Sequence, residues 1–257
     1  MPSQRIPILV YHHVYENEVM AGLEPSAGII GRRDFLRQMN HIAENDWIIV
    51  STTQIIDWLL DSAPLPSRAL ALHFDNGWLD TYTIALPILR DLGFKAMCYP
   101  ITDGIEAASS GKVHTVRTLT EGVIENPFMR WEHVQELLGA GWEIGAHTAS
   151  HCKMADKYES YGDKGILWEV NTSNDLFQKH LGFVPSHFAY PSGSRNTRTD
   201  ELLAPLYRSL RLWHDDFPIV WTITEPGTSR LAIECQNIDI RVPFDDFQRI
   251  FTEALEA

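Results

Sequence analysis

Short apolar, β-branched runs alternate with longer amphipathic stretches along most of the chain. The apolar runs predict strands at Pro7–Val14, Trp47–Val50, Leu70–Phe74, Lys95–Pro100, Glu143–Ala146, His187–Pro191, Ile219–Thr224 and Ile238–Val242. Between them, apolar residues at helical spacing predict helices. In 33–45 Phe35, Met39 and Ile42 share a face, and Asp34 sits in the first turn, where it favours the helix dipole. Helices are also predicted over Thr52–Leu60, with Ser51 as N-cap, and over Thr83–Leu92, with Gly93 just past its end. Arg130–Ala140, 166–180, Asp200–Ser209 and Phe244–Glu256 complete the set; the stripe Trp131, Val134, Leu137, Leu138 reads as core. Two segments break the rhythm: 152–164 reads as a polar loop, and 102–127, rich in Gly, Ser and Thr, as an irregular insertion or lid.

Strands alternating with helices imply a parallel sheet with crossover helices. No linker or composition shift divides the chain, so residues 1–257 are expected to form one α/β domain, a single (β/α) barrel of about seven or eight strands. Such barrels carry their chemistry at the carboxyl ends of the strands. Tyr11-His12-His13, Asp75-Asn76, His147–His151 and Pro191–Gly193 each fall where a predicted strand runs out.

Composition changes this picture only by exclusion. A 44% hydrophobic, 21% charged chain is an ordinary globular one. Its net charge of −13 argues against nucleic acid or an anionic membrane surface as partner, since both demand a basic face. Cys98, Cys152 and Cys235 are widely spaced and form no C-x-x-C pair, which supports neither a disulfide framework nor a zinc ribbon. No signal-peptide pattern and no run of eighteen apolar residues occurs, so a cytoplasmic protein without membrane insertion is expected.

Two stretches carry candidate chemistry. GWEIGAHTASH, residues 141–151, reads as a short buried strand running into a turn that presents His147 and His151; four apart, they share one face if the segment after the strand is helical, and histidine is the commonest neutral metal ligand. HFDNG, residues 73–77, sets adjacent polar groups after a strand and closes with glycine. One of the pair can bind a metal while the other takes a proton from water.

With HFDNG at 73–77, HTASH at 147–151, AYPSG at 189–193 and VYHHV at 10–14, the chain resembles the polysaccharide deacetylases, the NodB-homology carbohydrate esterases, in their Y-H-x-V branch. That family carries T-F-D-D-G, H-[ST]-x-x-H and R-x-P-x-G in this order on a distorted (β/α) barrel, and the resemblance runs from about residue 5 to about residue 250. It implies Asp75 as the general base that activates water and Asn76, His147 and His151 as ligands of a divalent metal, Zn²⁺ first, with Ni, Co, Fe or Mn also compatible. Tyr190, Pro191 and Ser192 fall on the groove wall, with the Ser192 N–H holding the oxyanion, and His12 is the general acid to the leaving amine. The implied reaction removes acetyl groups from an N-acetylated amino sugar and releases acetate.

Three positions depart from the family pattern. Asn76 replaces a carboxylate ligand. Ala189 stands where the family has arginine, so an Asp75–arginine contact is expected to be absent. His73 replaces threonine and by strand parity points the same way as Asp75. His214 is a further candidate near the site, and Trp213 with Trp221 for an apolar slot. Two other functions stay open: hydrolysis of another non-peptide C–N bond, such as a cyclic amide or ureide, and a catalytically silent carbohydrate-binding protein, which Asn76 motivates. The oligomeric state is left open.

Overall fold

The computed structural model describes residues 4–20, 28–61, 63–118, 122–124, 127–214 and 223–255. In chain order the strands are β1 (Ile8–Tyr11), β2 (His13–Tyr15), β3 (Ile29–Gly31), β4 (Ile48–Ile49), β5 (Ala69–Asn76), β6 (Met97–Pro100), β7 (Val116–Thr118), β8 (Gly122–Ile124), β9 (Glu143–Ile144), β10 (His187–Ala189), β11 (Ser209–Arg211) and β12 (Gln236–Asn237). The helices are α1 (Asn17–Met20), α2 (Arg32–Glu44), α3 (Thr52–Asp61), α4 (Leu86–Asp91), α5 (Thr102–Ser109), α6 (Trp131–Gly139), α7 (Met154–Leu181), α8 (Thr197–Leu203) and α9 (Phe244–Leu255).

Strands β12, β1, β5, β6 and β9 pair in parallel in that order. Single parallel bridges carry the pairing on, from Ala146 just past β9 to Phe188 of β10 and from Arg211 of β11 to Ile233 just before β12, while β10 pairs with β11. The ring is therefore closed: a distorted (β/α) barrel of seven strands whose second half is held by short pairings. Period-2 alternation sorts side chains across its wall. Leu9, Tyr11, Leu72, Phe74, Cys98, Ile144, Phe188 and Leu210 belong to the layer packed under the helices, while Ile8, Val10, Ala71, Ile233 and Cys235 form a separate interior cluster. The interior is tight. A Cβ on Gly145 would lie 2.2 Å from the Tyr99 ring, so only glycine lets that ring cross the lumen.

Several predicted elements shift. The strand beginning at Pro7 stops at Tyr11, and His13 opens β2, which pairs with β3 outside the barrel. The segment 102–127 is not irregular throughout: α5 and the antiparallel pair β7–β8 lie in it, the turn-like Asp103-Gly104 being helical because Gly104 lets the Phe128 ring sit 2.6 Å from where a Cβ would be. The polar loop predicted at 152–164 is mostly helix, as α7 starts at Met154 and is broken only at Gly162 (φ 60°, ψ −157°). The π-helical turn Thr81–Ala85 leads into α4. The helix predicted over Asp200–Ser209 ends at Leu203, and Ser209 begins β11. Ile238–Val242 turns instead of forming a strand, because the buried Asp239 carboxylate gathers the Gly28 N–H, the Asn237 amide, and the Arg241 N–H and guanidinium. Most of the strand predicted at Ile219–Thr224, with Trp221, lies outside the described residues, as does Glu256.

Candidate active site

Asp75, on the last turn of pleat in β5, is 1% exposed. Against the expectation from Ala189, it does contact an arginine. Arg211 Nη2 donates to both Asp75 carboxylate oxygens at 2.6 Å. The register explains the substitution: Ala189 of β10 lies directly beside Arg211 of β11. The small alanine clears the lumen, and the guanidinium enters one strand further round. Arg211 is itself 1% exposed, stacks 5.0 Å from the Tyr99 ring centroid and donates to the Leu212 carbonyl at 3.1 Å. Burial, the largest single influence, would raise the Asp75 pKa, but the charge and hydrogen bonds of Arg211, joined by His147 and His12, together outweigh it and hold the carboxyl well below the usual range.

Among the described residues, four of the five non-glycine residues with positive φ sit in the predicted motifs: Asn76 (71°), Thr148 (64°), His151 (61°) and Ser192 (54°). Left-handed backbone costs energy and persists where surroundings enforce it, commonly at functional sites. The histidine pair is built this way. The segment after β9 is a turn and not a helix, so helical spacing does not pair the histidines; left-handed Thr148 and His151 turn the chain so that the two rings come within 5.0 Å. The His151 N–H donates to Thr148 Oγ1 at 2.9 Å, which holds the turn.

The residues present fit a divalent cation. His147 Nδ1 donates to the Ala189 carbonyl at 2.8 Å, and His151 Nδ1 donates to the Arg117 carbonyl of β7 at 3.0 Å. Each ring is thereby fixed as the tautomer with an Nε2 lone pair, the arrangement that outer partners impose on ligating histidines. Burial pushes His147 down to about 3, against the attraction of Asp75, and lowers His151 as well, so both are neutral at pH 7. The third acceptor is Asn76 Oδ1, which is buried without any hydrogen-bond partner. Orphaned buried acceptors are rare and ask for a donor or a cation. Among the described residues no three His, Cys, Asp or Glu are grouped to hold a metal ion; Asn76, an amide, is not one of those residue types.

His12 faces Asp75, with Nε2 3.9 Å from Oδ2, and its Nδ1 is buried without a partner. Burial lowers its pKa to about 4 despite the Asp75 charge. Trp213 packs edge-on against it, the ring centroids 5.9 Å apart. His13 points the other way, its Nδ1 2.6 Å from the Asp80 carboxylate. His73 does not bond Asp75: its Nε2 lies 3.0 Å from Thr52 Oγ1 and its ring 5.3 Å from that of Tyr99, so it packs below the pair. Tyr190 gives its hydroxyl to Asp200 at 2.8 Å and is buried, which makes it a wall residue. Pro191 is buried beside it, and Ser192 lines the open cleft. Gly193 follows at φ 63°, where a Cβ would meet the Trp213 carbonyl at 2.2 Å. His214 is exposed and pairs with Glu234 at 3.0 Å.

Sequence reasoning missed Arg211 and Glu169. The first had a signal: in Leu210-Arg211-Leu212 the alternation sets the arginine on the face opposite two leucines, into the lumen. Glu169 of α7 is fully buried and accepts from Ser150 N–H at 3.0 Å, Ser150 Oγ at 2.9 Å and Lys157 Nζ at 3.0 Å. It therefore anchors the histidine turn from below. Glu169→Gln keeps the shape and loses the charge. Lys157 is 24% exposed and can turn to water, so the expected loss is about 1–3 kcal/mol, below that of a fully enclosed pair. Urea denaturation measures it, and an unchanged midpoint would remove Glu169 as the anchor.

A family model described as polysaccharide deacetylase matches residues 62–207. Among curated proteins, the putative polysaccharide deacetylase YxkH of Bacillus subtilis is 22% identical over 195 residues, 76% of this chain and 59% of that protein. The poly-β-1,6-N-acetyl-D-glucosamine N-deacetylase of Escherichia coli is 28% identical over 112 residues, 43% of this chain and 16% of that one. The chain thus spans under two thirds of the length of these relatives. The fold agrees with Streptococcus pyogenes deacetylase PplD in complex with acetate, at TM-score 0.78, 20% identity and coverage of 97% and 99% of the two chains. It agrees also with IcaB from Ammonifex degensii, at TM-score 0.76, 20% identity and 98% and 97% coverage. With the family model matching more than half of its length, the chain belongs to the polysaccharide deacetylase family.

Proposed function

We propose that the protein is a metal-dependent hydrolase that removes acetyl groups from N-acetylated amino sugars and releases acetate. The observation that carries this reading is the buried Asp75–Arg211 pair beside the His147/His151/Asn76 acceptor set. Perturbed ionisable groups gathered at one cleft are the mark of a catalytic site. A silent carbohydrate-binding protein has no use for a buried carboxylate held ionised there, so the catalytic reading is preferred.

Asn76, His147 and His151 would hold the cation. When bound, a divalent ion of the Zn²⁺ class polarises the acetamide carbonyl and acidifies water. Asp75, held as a carboxylate by Arg211, takes the proton of the attacking water. The backbone N–H of Ser192, at the cleft wall, stabilises the oxyanion of the tetrahedral intermediate. In the free protein burial keeps His12 neutral, so the proton it delivers to the leaving nitrogen is one gained within the cycle. Asp75, 3.9 Å away, is its source. Trp213, against His12, shields that transfer from water. A neutral sugar substrate also suits a chain of charge −13 better than an anionic polymer would.

The test is acetate release from N-acetylglucosamine oligomers by zinc-loaded protein, with small cyclic amides and ureides assayed in parallel. Acetate from the oligomers is expected. Turnover of the cyclic amides alone would transfer the same site to other C–N bonds, and no turnover at stoichiometric metal would leave the silent reading. His147→Ala and His151→Ala should each lower zinc affinity by more than the roughly 10–100-fold that outer partners cost. Equilibrium dialysis reads this, and unchanged zinc content in both variants would remove the ligand assignment.

A further inference from the structure

His147 and His151 each have a carbonyl that fixes the ring; His12 does not. Its Nδ1 is buried without a partner, and its Nε2 stands 3.9 Å from Asp75, beyond hydrogen-bond reach. The ring is therefore aimed by what packs on it. Trp213 meets it edge-on with the centroids 5.9 Å apart. Gly28 approaches so closely that a Cβ there would lie 3.5 Å from His12 Cβ and Cγ and 3.8 Å from Nδ1.

These two neighbours are far apart in the chain, and one buried pair holds both. Asn237 Oδ1 accepts from Trp213 Nε1 at 3.3 Å, and Asn237 Nδ2 donates to Asp239 Oδ2 at 2.8 Å. The same Asp239 oxygen accepts from the Gly28 N–H at 3.1 Å. Arg241 meets the carboxylate charge, with Nη2 2.8 Å from Oδ2 and Nε 3.0 Å from Oδ1. Gly28 in turn gives its carbonyl to the N–H of His13, the residue after His12, at 2.8 Å. The outcome is a hydrogen-bonded line Trp213–Asn237–Asp239–Gly28 whose two ends are the two residues packed on His12.

Register puts the pair there. Asn237 of β12 lies beside Val10 of β1, and the Ile238 N–H donates to the Val10 carbonyl at 2.9 Å. The residues that follow thus run beside the end of β1 from which His12 emerges. Asn237 is 7% and Asp239 1% exposed. An amide and a carboxylate buried at such positions carry a desolvation cost that apolar residues would not. The turn over 238–242 accounts for Asp239 and Arg241, but it does not need the Asn237 bond to the indole.

We propose that Asn237 and Asp239 are positioning residues: by fixing Trp213 and Gly28 they aim His12 at the leaving nitrogen. The proposal rests on the deacetylase reading for the reaction, and on the contacts alone for the orientation of the ring. Cleavage of an acetamide breaks the C–N bond while the departing nitrogen takes the proton carried by His12. A misplacement of about 1 Å can cost on the order of 10²-fold in such a step. An activated ester such as p-nitrophenyl acetate breaks its C–O bond and releases the phenolate without that proton, so its hydrolysis does not depend on how His12 is aimed.

Acetate release from N-acetylglucosamine oligomers and hydrolysis of p-nitrophenyl acetate are measured with zinc-loaded wild type, Asn237→Leu, Trp213→Phe, His12→Asn and Asn237→Leu/His12→Asn. Asn237→Leu should lower kcat on the oligomers by about 10–100-fold, leaving KM and the ester rate near wild type. Trp213→Phe keeps a ring but has no N–H for Asn237; it should show a smaller loss of the same kind, and it carries the comparison if Asn237→Leu does not fold. In the His12→Asn background Asn237→Leu should change nothing further, as expected of a residue that acts through another. An unchanged rate on the oligomers, equal losses on oligomer and ester, or the full loss repeated in the His12→Asn background overturns the proposal. Proton NMR of the metal-free proteins reads the clamp without turnover. The His12 ring signals, assigned by their loss in His12→Asn, should move in Asn237→Leu and Trp213→Phe, and unmoved signals overturn the proposal. Moved signals in a protein whose wild type releases no acetate keep the clamp on His12 and refute the deacetylase reading.

Discussion

Arg211→Met should destabilise the protein by about 3–5 kcal/mol at pH 7, the cost of leaving a buried charge without its partner. Asp75 is 1% exposed and bonded through both oxygens to one guanidinium nitrogen. Without Arg211 the carboxylate stays in a lumen walled by His12, His73 and Tyr99, and burial, the larger influence on it, then raises its pKa. The sign of the pH dependence follows. In wild type the folded-state pKa is depressed, so the pair's contribution is fully present above about pH 4, the unfolded value, and is lost only as pH falls below it. In the variant the folded pKa lies above the unfolded value, so the variant recovers stability as pH falls from 7 towards 4. The gap between the proteins, measured by urea denaturation, should therefore be widest near neutrality and narrow towards pH 4.5. A gap that is constant across that range would mean packing, not charge, is what Arg211 supplies. The double variant Asp75→Leu/Arg211→Met should regain much of the loss, since a buried pair replaced whole by apolar groups is often neutral.

That pair also marks where the sequence stopped being readable. Asp75-Asn76 and His147–His151 were legible because each follows an apolar run long enough to be recognised, and strand ends are where a barrel keeps its chemistry. The barrel itself was legible from the alternation of runs. Arg211 was not, because β11 has three residues, is preceded by a helix that ends earlier than its pattern suggests, and joins the barrel through register with β10. Whether an arginine one strand away fills the space over Ala189 depends on that register, which no local pattern states. The histidine pair shows the converse. The turn after the strand is legible, but what brings the rings together within it is left-handed backbone at Thr148 and His151; histidine is enriched in that region, whereas a β-branched threonine gives no signal of it. The segment 102–127 reads as irregular because its Gly, Ser and Thr hide helix α5 and the short pair β7–β8, whose contribution to the site is a main-chain carbonyl, that of Arg117, which accepts from His151.

Asp75→Asn should lower acetate release by about 10²–10⁴-fold, the usual worth of a general base, while zinc content stays at the wild-type level. The change is isosteric, and the amide oxygen can still accept from Arg211, so the stability loss should be smaller than for Arg211→Met. Zinc retention separates the roles of neighbours. Asn76, the adjacent residue, has the partnerless oxygen, whereas both Asp75 oxygens are engaged by Arg211, which argues against Asp75 as a ligand. Loss of zinc in Asp75→Asn would reassign it to the metal and leave the base unidentified. The complementary variant, Asn76→Asp, adds a charge to a neutral acceptor set and should tighten zinc without restoring any turnover to Asp75→Asn. Turnover in the double variant comparable to Asn76→Asp alone would mean that the carboxylate at 75 is dispensable. The water would then have to lose its proton to His12, the other group at 3.9 Å from this position. Because burial keeps that imidazole neutral, it could accept one, so Asp75→Asn/His12→Asn is the variant that separates a base at 75 from a relay that begins at 12.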